Sequence, residues 1–452
     1  MIASKQQSPR YGPGRLVVDG RDRTVVRKAT FAFRPTKAQA GRLHGLLRVC
    51  CEVYNAALQE RRDAWRVAGK TVRWRDQFVA LTGVRQVRPN VFAYGLQPLR
   101  GAIMRCDEAM QAFFDRVGRG ARPGFPRFKG HRRFNTACWD EPASWKVDAA
   151  RRTLYLQGVG TIRLPKSARR QIDRMTAAGG RPTTLSVTRR RAGTGWVWRA
   201  TVAFKDVAVN DTPPAEGEGS LVGADRGITV TVATSDGQML TMPRHVAAAR
   251  QQIVELQRAQ ARCIRGSREW RRLGAHIARA RRKAANQVDN WAREHATRLV
   301  ADHRVLVLED LPLNNMMRSA SGTVEEPGTN VAQKQGLNRE LQDVVLGKLA
   351  SRICVKAESA GRRVWMVRPE NTSRGCSRCG HTAKANRPDQ AAFRCVGCGF
   401  EANADLNAAV NVAGRGREAE DAWQDDGAPS LVRPRSRRRR ATKNEPDRTK
   451  AA

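Results

Sequence analysis

Acidic residues are scarce in this chain: 42 Asp and Glu stand against 83 Lys and Arg in 452 residues, a formal charge of +41. Self-repulsion on that scale disfavours a compact chain unless a polyanion neutralises it. Nucleic acid is such a polyanion, because each phosphate contact releases counterions. A highly charged soluble protein or a binder of anionic membrane surfaces is the alternative. Long apolar runs are missing as well. No stretch of about 18 apolar residues is present, which excludes a transmembrane helix. The opening MIASKQQSPR lacks the apolar core of a secretory leader, so the chain reads as cytoplasmic. The four tyrosines (Tyr11, Tyr54, Tyr94, Tyr155) all lie in the N-terminal half, leaving the other half without a tyrosine nucleophile. Seven histidines (His44, His131, His245, His276, His295, His303, His381) form no catalytic pattern; His381, beside a cysteine pair, comes nearest to a metal ligand. Six cysteines (Cys50, Cys51, Cys106, Cys138, Cys263, Cys354) are scattered without even spacing. In a reducing compartment they read as small core residues, not as disulfides.

The chain is too long for one core of ordinary size, and two to four domains are expected. After a loose polar start, Val25 to Pro35 alternates like a strand. Thr36 and Gln39 then form a capping-box signature, followed by Leu43, Leu47, Cys50, Tyr54 and Leu58 at helical spacing. A second helix is predicted from about Leu96 to Val117. Gly118 to Arg133 mixes Gly and Pro with Arg127, Lys129, Arg132, Arg133, Phe125 and Phe128. That composition suits contacts with phosphates, and a solvated basic loop would look similar. Trp139 to Lys205 reads as strands, and Asp211 to Gly219 as a linker. Beyond it come strands joined by an Asp236-Gly237 turn, two helices split near Gly266, and the continuous apolar run RVLVLED, the mark of a strand buried on both faces. A helix from about Leu337 to Ala360, the strand RRVWMVRP and a short helix from Asn403 complete the pattern. This order is that of an α/β layer with a mixed sheet. Residues after about Arg415 turn polar and charged, as a disordered tail would.

Two constellations carry chemistry. Cys376, Cys379, Cys395 and Cys398 have the spacing C-x2-C-x15-C-x2-C, and each pair lies in a CxxCG knuckle. Four thiolates close a tetrahedral zinc sphere, so this metal is expected to be structural. Asp225 follows an apolar LVGA, Glu309 closes VLVL, and Asp405 opens the last helix. Singly, each has an ordinary explanation: a turn, a strand end, an acid favoured by the helix dipole. Together they are acids at the ends of buried elements, where open α/β folds build sites. In so basic a nucleic-acid partner they would repel phosphate unless divalent cations neutralised them. Paired Mg2+ ions held by such acids hydrolyse phosphodiesters without a His, Ser or Cys nucleophile.

GADRGITVTVATSDG, VLVLEDLPLNNM, NTSRGCSRCGH, FRCVGCGFEANADLNAAVNV and, earlier, YNAAL, FFDR and GFPRFKG resemble the TnpB (OrfB) proteins of insertion sequences and their relatives, the miniature type V CRISPR effectors. The resemblance spans about residues 28 to 414. It implies a multidomain α+β protein: an RNase H-like (RuvC) nuclease domain with an inserted zinc ribbon, a β-barrel wedge domain and an α-helical recognition domain. The implied segments are 1–35 (first wedge strand), 36–117 (recognition), 118–210 (wedge), 211–219 (linker), 220–375 (nuclease), 376–399 (ribbon), 400–414 (last nuclease helix) and 415–452 (disordered basic tail). Asp225, Glu309 and Asp405 match the three RuvC acids, holding two Mg2+ ions, with Zn2+ on the four cysteines. Asp310 points to the opposite face of its strand and is left out. Arg226 stands where relatives often carry an aliphatic residue. The implied activity is RNA-guided, Mg2+-dependent cleavage of double-stranded target DNA beside a short adjacent motif, with guide RNA and DNA as partners and no membrane. The alternatives are a guided binder that represses without cutting, and a transposase acting directly on transposon ends.

Overall fold

The computed structural model describes residues 14–20, 22–120, 123–142, 144–192, 195–210, 221–322, 328–344 and 346–425. The expected linker 211–219 and the tail from 426 onward lie outside the described residues. The chain forms two compact units, one of residues 1–22, 210–252 and 281–452, the other of residues 23–209 and 253–280. Among the described residues no helix is long and apolar enough to cross a membrane.

The first unit is organised by a six-stranded mixed sheet, in the order Gly14–Val18, Arg363–Val367, Val305–Glu309, Leu221–Asp225, Val232–Thr234, Met239–Leu240. Val305–Glu309 is parallel to both its neighbours, and the outer pairings are antiparallel. All five of its residues are buried, as its unbroken apolar run requires. Side-chain alternation then divides the core in two. Leu306, Leu308, Val222 and Ala224 pack with Ala292, Ala296, Leu299, Leu349 and Ile353, which come from the helices Arg268–Asp302 and Leu346–Ser359. Val305, Val307 and Val367 pack on the other face with Val412, Ala419 and Trp423 of the final helix, Ala404–Asp425. That helix lies very close to the sheet. A Cβ on Gly223 would stand 2.4 Å from both the Ala409 carbonyl oxygen and the Ala413 nitrogen.

Two parts of this unit depart from the sequence reading. Gly14–Val18, read as part of a loose start, is an edge strand paired with Arg363–Val367, with Leu16 buried in the core. Its five residues are too few to show a period of two against the polar residues around them. The final helix does not stop near 414 but runs to Asp425. Glu420 accepts a hydrogen bond from Trp365 Nε1 at 2.6 Å and pairs with Arg363 at 2.7 Å, so its charge is an anchor and not a sign of disorder. The helix expected over Leu337 to Ala360 is matched by the helical stretches Val331–Val344 and Leu346–Ser359, residue 345 lying outside the described residues.

The second unit contains a four-stranded antiparallel sheet, in the order Thr24–Phe33, Gly195–Ala208, Arg181–Ala192, Thr136–Trp139. A separate three-stranded antiparallel sheet is formed by Trp145–Asp148, Thr153–Leu156 and Gly160–Arg163. Neither sheet closes on itself among the described residues. The stretch read as all strand also contains a helix, Lys166–Ala177, whose buried positions are only Ala168 and Ile172. So narrow an apolar stripe gives little helical signal. Helices Lys37–Ala68, Trp74–Val87 and Gln97–Val117 also belong to this unit, as do residues 253–280 of the helices His245–Ala261 and Arg268–Asp302 and the turn between them. The first begins with the capping box: Gln39 N donates to Thr36 Oγ1 (3.2 Å) and Thr36 N to Gln39 Oε1 (3.0 Å). Its stripe Leu43, Leu47, Cys50, Tyr54 and Leu58 is buried.

Candidate nuclease centre and four-cysteine ribbon

Strand parity brings the acids together. Leu221, Gly223 and Asp225 share one face of their strand, and Val305, Val307 and Glu309 share the corresponding face of the neighbouring parallel strand. That is the face covered by the final helix, whose first turn holds Asp405. Burial and the nearby charges of Glu309 and Asp405 push the Asp225 carboxyl up to about 7. Burial also raises Glu309 and Asp405 above the ordinary carboxylate range. Glu309 accepts a hydrogen bond from Thr372 Oγ1 at 2.6 Å. Asp405 pairs with Arg387 at 3.4 Å. Carboxyls raised in this way lack enough positive charge nearby, and oxygen donors suit hard divalent cations, although among the described residues only the four cysteines bring their ligand atoms within 4.8 Å of one another. Asp310, of opposite parity, is exposed and pairs instead with Arg15 at 3.2 Å.

Arg226 is buried beside the cluster, donating to the Glu309 carbonyl and, at 3.3 Å, to the Leu346 carbonyl. Its guanidinium therefore ties two backbone segments together and forms no hydrogen bond or ion pair with the carboxylates. The charge is partly compensated by Glu309 and Asp225 nearby. Sequence reasoning noted the residue but not this role.

In the ribbon, the Sγ atoms of Cys376, Cys379, Cys395 and Cys398 all lie within 4.8 Å of one another. The Cys376–Cys398 and Cys379–Cys395 separations are 3.7 and 3.6 Å. Tetrahedral sulfurs about 2.3 Å from zinc would be spaced much like this, so the residues fit the ion. The knuckle glycines Gly380 and Gly399 have φ of 76° and 71°, and their N–H groups donate to the Cys376 and Cys395 carbonyls at 2.9 Å. Against desolvation, which raises it, the N–H groups of Cys398 and Gly397 bring the Cys395 thiol down to about 6. Against the His381 N–H, which lowers it, hydrogen bonding among the thiols pushes its partner Cys379 up to about 12.

Asparagines connect the ribbon to the helix that bears Asp405. Asn403 Oδ1 caps it, accepting from Asp405 N (2.9 Å) and Leu406 N (3.2 Å). Buried Asn407 accepts from Ser377 N at 3.0 Å and donates to the Gly375 carbonyl at 2.8 Å. Asn411 donates to the Gly375 and Thr372 carbonyls, both at 2.8 Å. Sequence reasoning missed these roles. The signal was present: Asn403, Asn407 and Asn411 recur every four residues, a polar stripe on one face of a helix.

The basic loop of the second unit forms a separate feature. Arg127, Lys129 and Arg133 line one cavity of about 510 Å3, together with Tyr54 and Phe128; Arg132 is exposed and outside that lining.

These features define a class: a basic α+β protein with a carboxylate cluster at a sheet end, joined through one helix to a four-cysteine ribbon. The family model described as "Probable transposase" (OrfB_IS605) matches residues 205–320, which include Asp225 and Glu309. The model "Cas12f1-like, TNB domain" matches 347–412, which include the four cysteines and Asp405. InsQ of Escherichia coli strain K12, a candidate RNA-guided DNA endonuclease by name, is 28% identical over 85% of this chain and 91% of its own. The CRISPR-associated endodeoxyribonuclease Cas12f1 of Sulfoacidibacillus thermotolerans is 42% identical over 22% of this chain and 23% of its own. A chain in a cryo-EM structure of a Cas12f1–sgRNA–target DNA complex shares the fold, with a TM-score of 0.54 and 15% identity, over 83% of this chain and 82% of that one. Over most of its length the chain is thus similar to InsQ, and over residues 347–412 to the Cas12f1-like TNB domain.

Proposed function

We propose that the protein is an RNA-guided DNA endonuclease, with an RNase H-like (RuvC) centre at Asp225, Glu309 and Asp405. The observation that carries this reading is the carboxylate cluster itself, in which Asp225 is pushed up to about 7 by burial and its two acidic neighbours, inside a chain of charge +41. A polyanion would be repelled by those acids unless cations filled the cluster. Asp225, Glu309 and Asp405 would together hold the two Mg2+ ions. Bound there, Mg2+ supplies charge to the scissile phosphate and lowers the pKa of an attacking water.

The remaining work falls to the protein. The Thr372 hydroxyl holds one oxygen of Glu309. Arg226 fixes the backbone from which Glu309 projects. Arg387 keeps Asp405 partly neutralised. Recognition would be delegated to a guide RNA, the chain holding RNA and hybrid through its cations while base pairing reads the target. Residues 23–209, with their helices and two antiparallel sheets, would serve as recognition and wedge parts, and the four cysteines would hold structural Zn2+.

Purification followed by sequencing of co-bound RNA, then incubation with matched double-stranded DNA and Mg2+, tests this. The expected result is guide-dependent cleavage that Asp225→Ala abolishes. Equal cutting by the parent and the variant would show that the assigned centre is wrong.

A further inference from the structure

Apolar rings on a surface cost free energy unless something covers them, and this chain gathers three exposed phenylalanines in one place. Among the described residues the exposed Trp, Phe and Tyr side chains are Trp65 (66%), Phe114 (55%), Phe128 (46%), Tyr155 (46%) and Phe125 (44%). The three phenylalanines belong to one neighbourhood. Phe113 packs edge-on against both Phe114 and Phe125, with ring centroids 5.2 and 5.4 Å apart. Arg62 lies over the ring of Phe128, 5.2 Å from its centre.

The loop that carries Phe128 is held firmly. Asn55 clamps Lys129 from both sides: its Nδ2 donates to the Lys129 carbonyl and its Oδ1 accepts from the Lys129 N–H, both at 2.9 Å. Cys51 Sγ donates to the same carbonyl at 3.0 Å. The Lys129 ammonium turns inward, 4.5 Å from the centre of the buried Tyr54 ring. The cations left at the rim are Arg127 and Arg133, both exposed. The cleft is thus a cavity of about 510 Å3 with one exposed aromatic wall and a cationic rim on a pinned loop. That volume is in the range of small-ligand sites, about 300–1,000 Å3.

We infer that this cleft takes an unstacked nucleotide of a single strand, its base against Phe128 and its phosphate between Arg127 and Arg133. Aromatic side chains beside cations are the common means of holding a splayed base and its phosphate, and a pinned loop loses little entropy in doing so. An acidic peptide would use the arginines but has no need of the ring. This inference rests on the proposed nucleic-acid function and adds a location to it. The nucleotide comes either from the RNA or from a displaced DNA strand.

Twelve-residue oligoribonucleotides and oligodeoxyribonucleotides, each carrying one 2-aminopurine, separate these cases when titrated into the full-length protein in Mg2+-free buffer. Phe128→Ala is expected to weaken binding roughly tenfold and to restore 2-aminopurine fluorescence, with the salt dependence unchanged. Phe128→Trp should rescue both effects, and Phe128→Leu neither. Arg133→Ala should instead reduce the slope of log affinity against log salt by about one. The oligonucleotide whose binding falls in Phe128→Ala names the source, and a fall in both assigns a site that ignores the ribose 2′-hydroxyl. Affinity and fluorescence unchanged in Phe128→Ala, or full rescue by Leu, overturn the cleft while leaving guided cleavage intact. A parent protein that binds neither oligonucleotide overturns the cleft and the proposed function together.

Discussion

Two sites of the first unit meet at the start of the final helix, and they differ in how the chain builds them. The ribbon takes its four sulfurs from one continuous stretch, 376–398, with local turns fixing each knuckle. The carboxylate cluster takes its acids from positions 225, 309 and 405, assembled by strand parity and a helix laid against the sheet. Their energetics differ in sign as well. A filled ribbon stabilises the fold outright. An ion-free carboxylate cluster strains it, because burying Asp225 between two other acids favours its neutral form.

The largest effect expected from this contrast is functional. Asp225→Ala should lower cleavage roughly 10^3-fold or more, since an ion-binding carboxylate is lost. Its effect on stability should be opposite. With a folded pKa of about 7 against an ordinary 3.8, Asp225 costs nothing below pH 3.8, and its cost grows as pH rises and is complete above about 7. The full cost is on the order of 2–4 kcal/mol for the ion-free chain. Asp225→Asn should therefore raise the ion-free melting temperature at pH 8 and leave it unchanged near pH 3.5. A variant less stable than the parent at pH 8 would remove the asymmetry between the two sites.

Replacing Cys395 or Cys398 with Ser, or removing zinc with a chelator, should act in the other direction. The loss expected is more than about 3 kcal/mol, a fraction of the ~10–16 kcal/mol with which zinc-finger peptides hold their ion. Cleavage should fall too, because Asn407 and Asn411 tie the chain leading into the first knuckle to the helix bearing Asp405. A zinc-free variant that cuts as the parent does would separate the two sites.

The same contrast explains what could be read from the sequence. The ribbon was legible because its ligands and glycines are close in sequence. The acids were legible singly only with ordinary alternative explanations, and their shared place at the ends of buried elements grouped them before the family resemblance matched them to three nuclease acids. Arg226 was visible but unexplained, because its partners are backbone carbonyls at 309 and 346, which no side-chain pattern records. The strand Gly14–Val18 went unread because its partner, Arg363–Val367, lies near the other end of the sequence. The extension of the final helix to Asp425 was hidden for a related reason. Glu420 looks like solvated charge until Trp365 and Arg363 stand beside it.

Gly223 tests the close packing on which the carboxylate cluster depends. An added methyl would sit 2.4 Å from two backbone atoms of the final helix, so Gly223→Ala should force the helix outward and cost about 1–3 kcal/mol. Because Asp405 moves with the helix while Asp225 and Glu309 stay on the sheet, cleavage should fall further than stability alone accounts for. Zinc content, measured by metal analysis, should not change. If zinc is lost along with cleavage, helix and ribbon move as one body and the cluster is less independent than its construction implies.

The smallest effect separates a tether from a ligand. Asn407→Ala removes a buried amide that satisfies the Ser377 N–H and the Gly375 carbonyl, at an expected cost of about 1–3 kcal/mol. If the tether carries the ribbon's influence on cleavage, Asn407→Ala and Cys395→Ser should not add, because once the knuckle is unfolded the amide has nothing to hold. The check is a double-mutant cycle on melting temperature and on cleavage rate. Additive losses in both would mean that the ribbon supports the carboxylate centre by another route, leaving Asn403, which caps the helix directly, as the next residue to test.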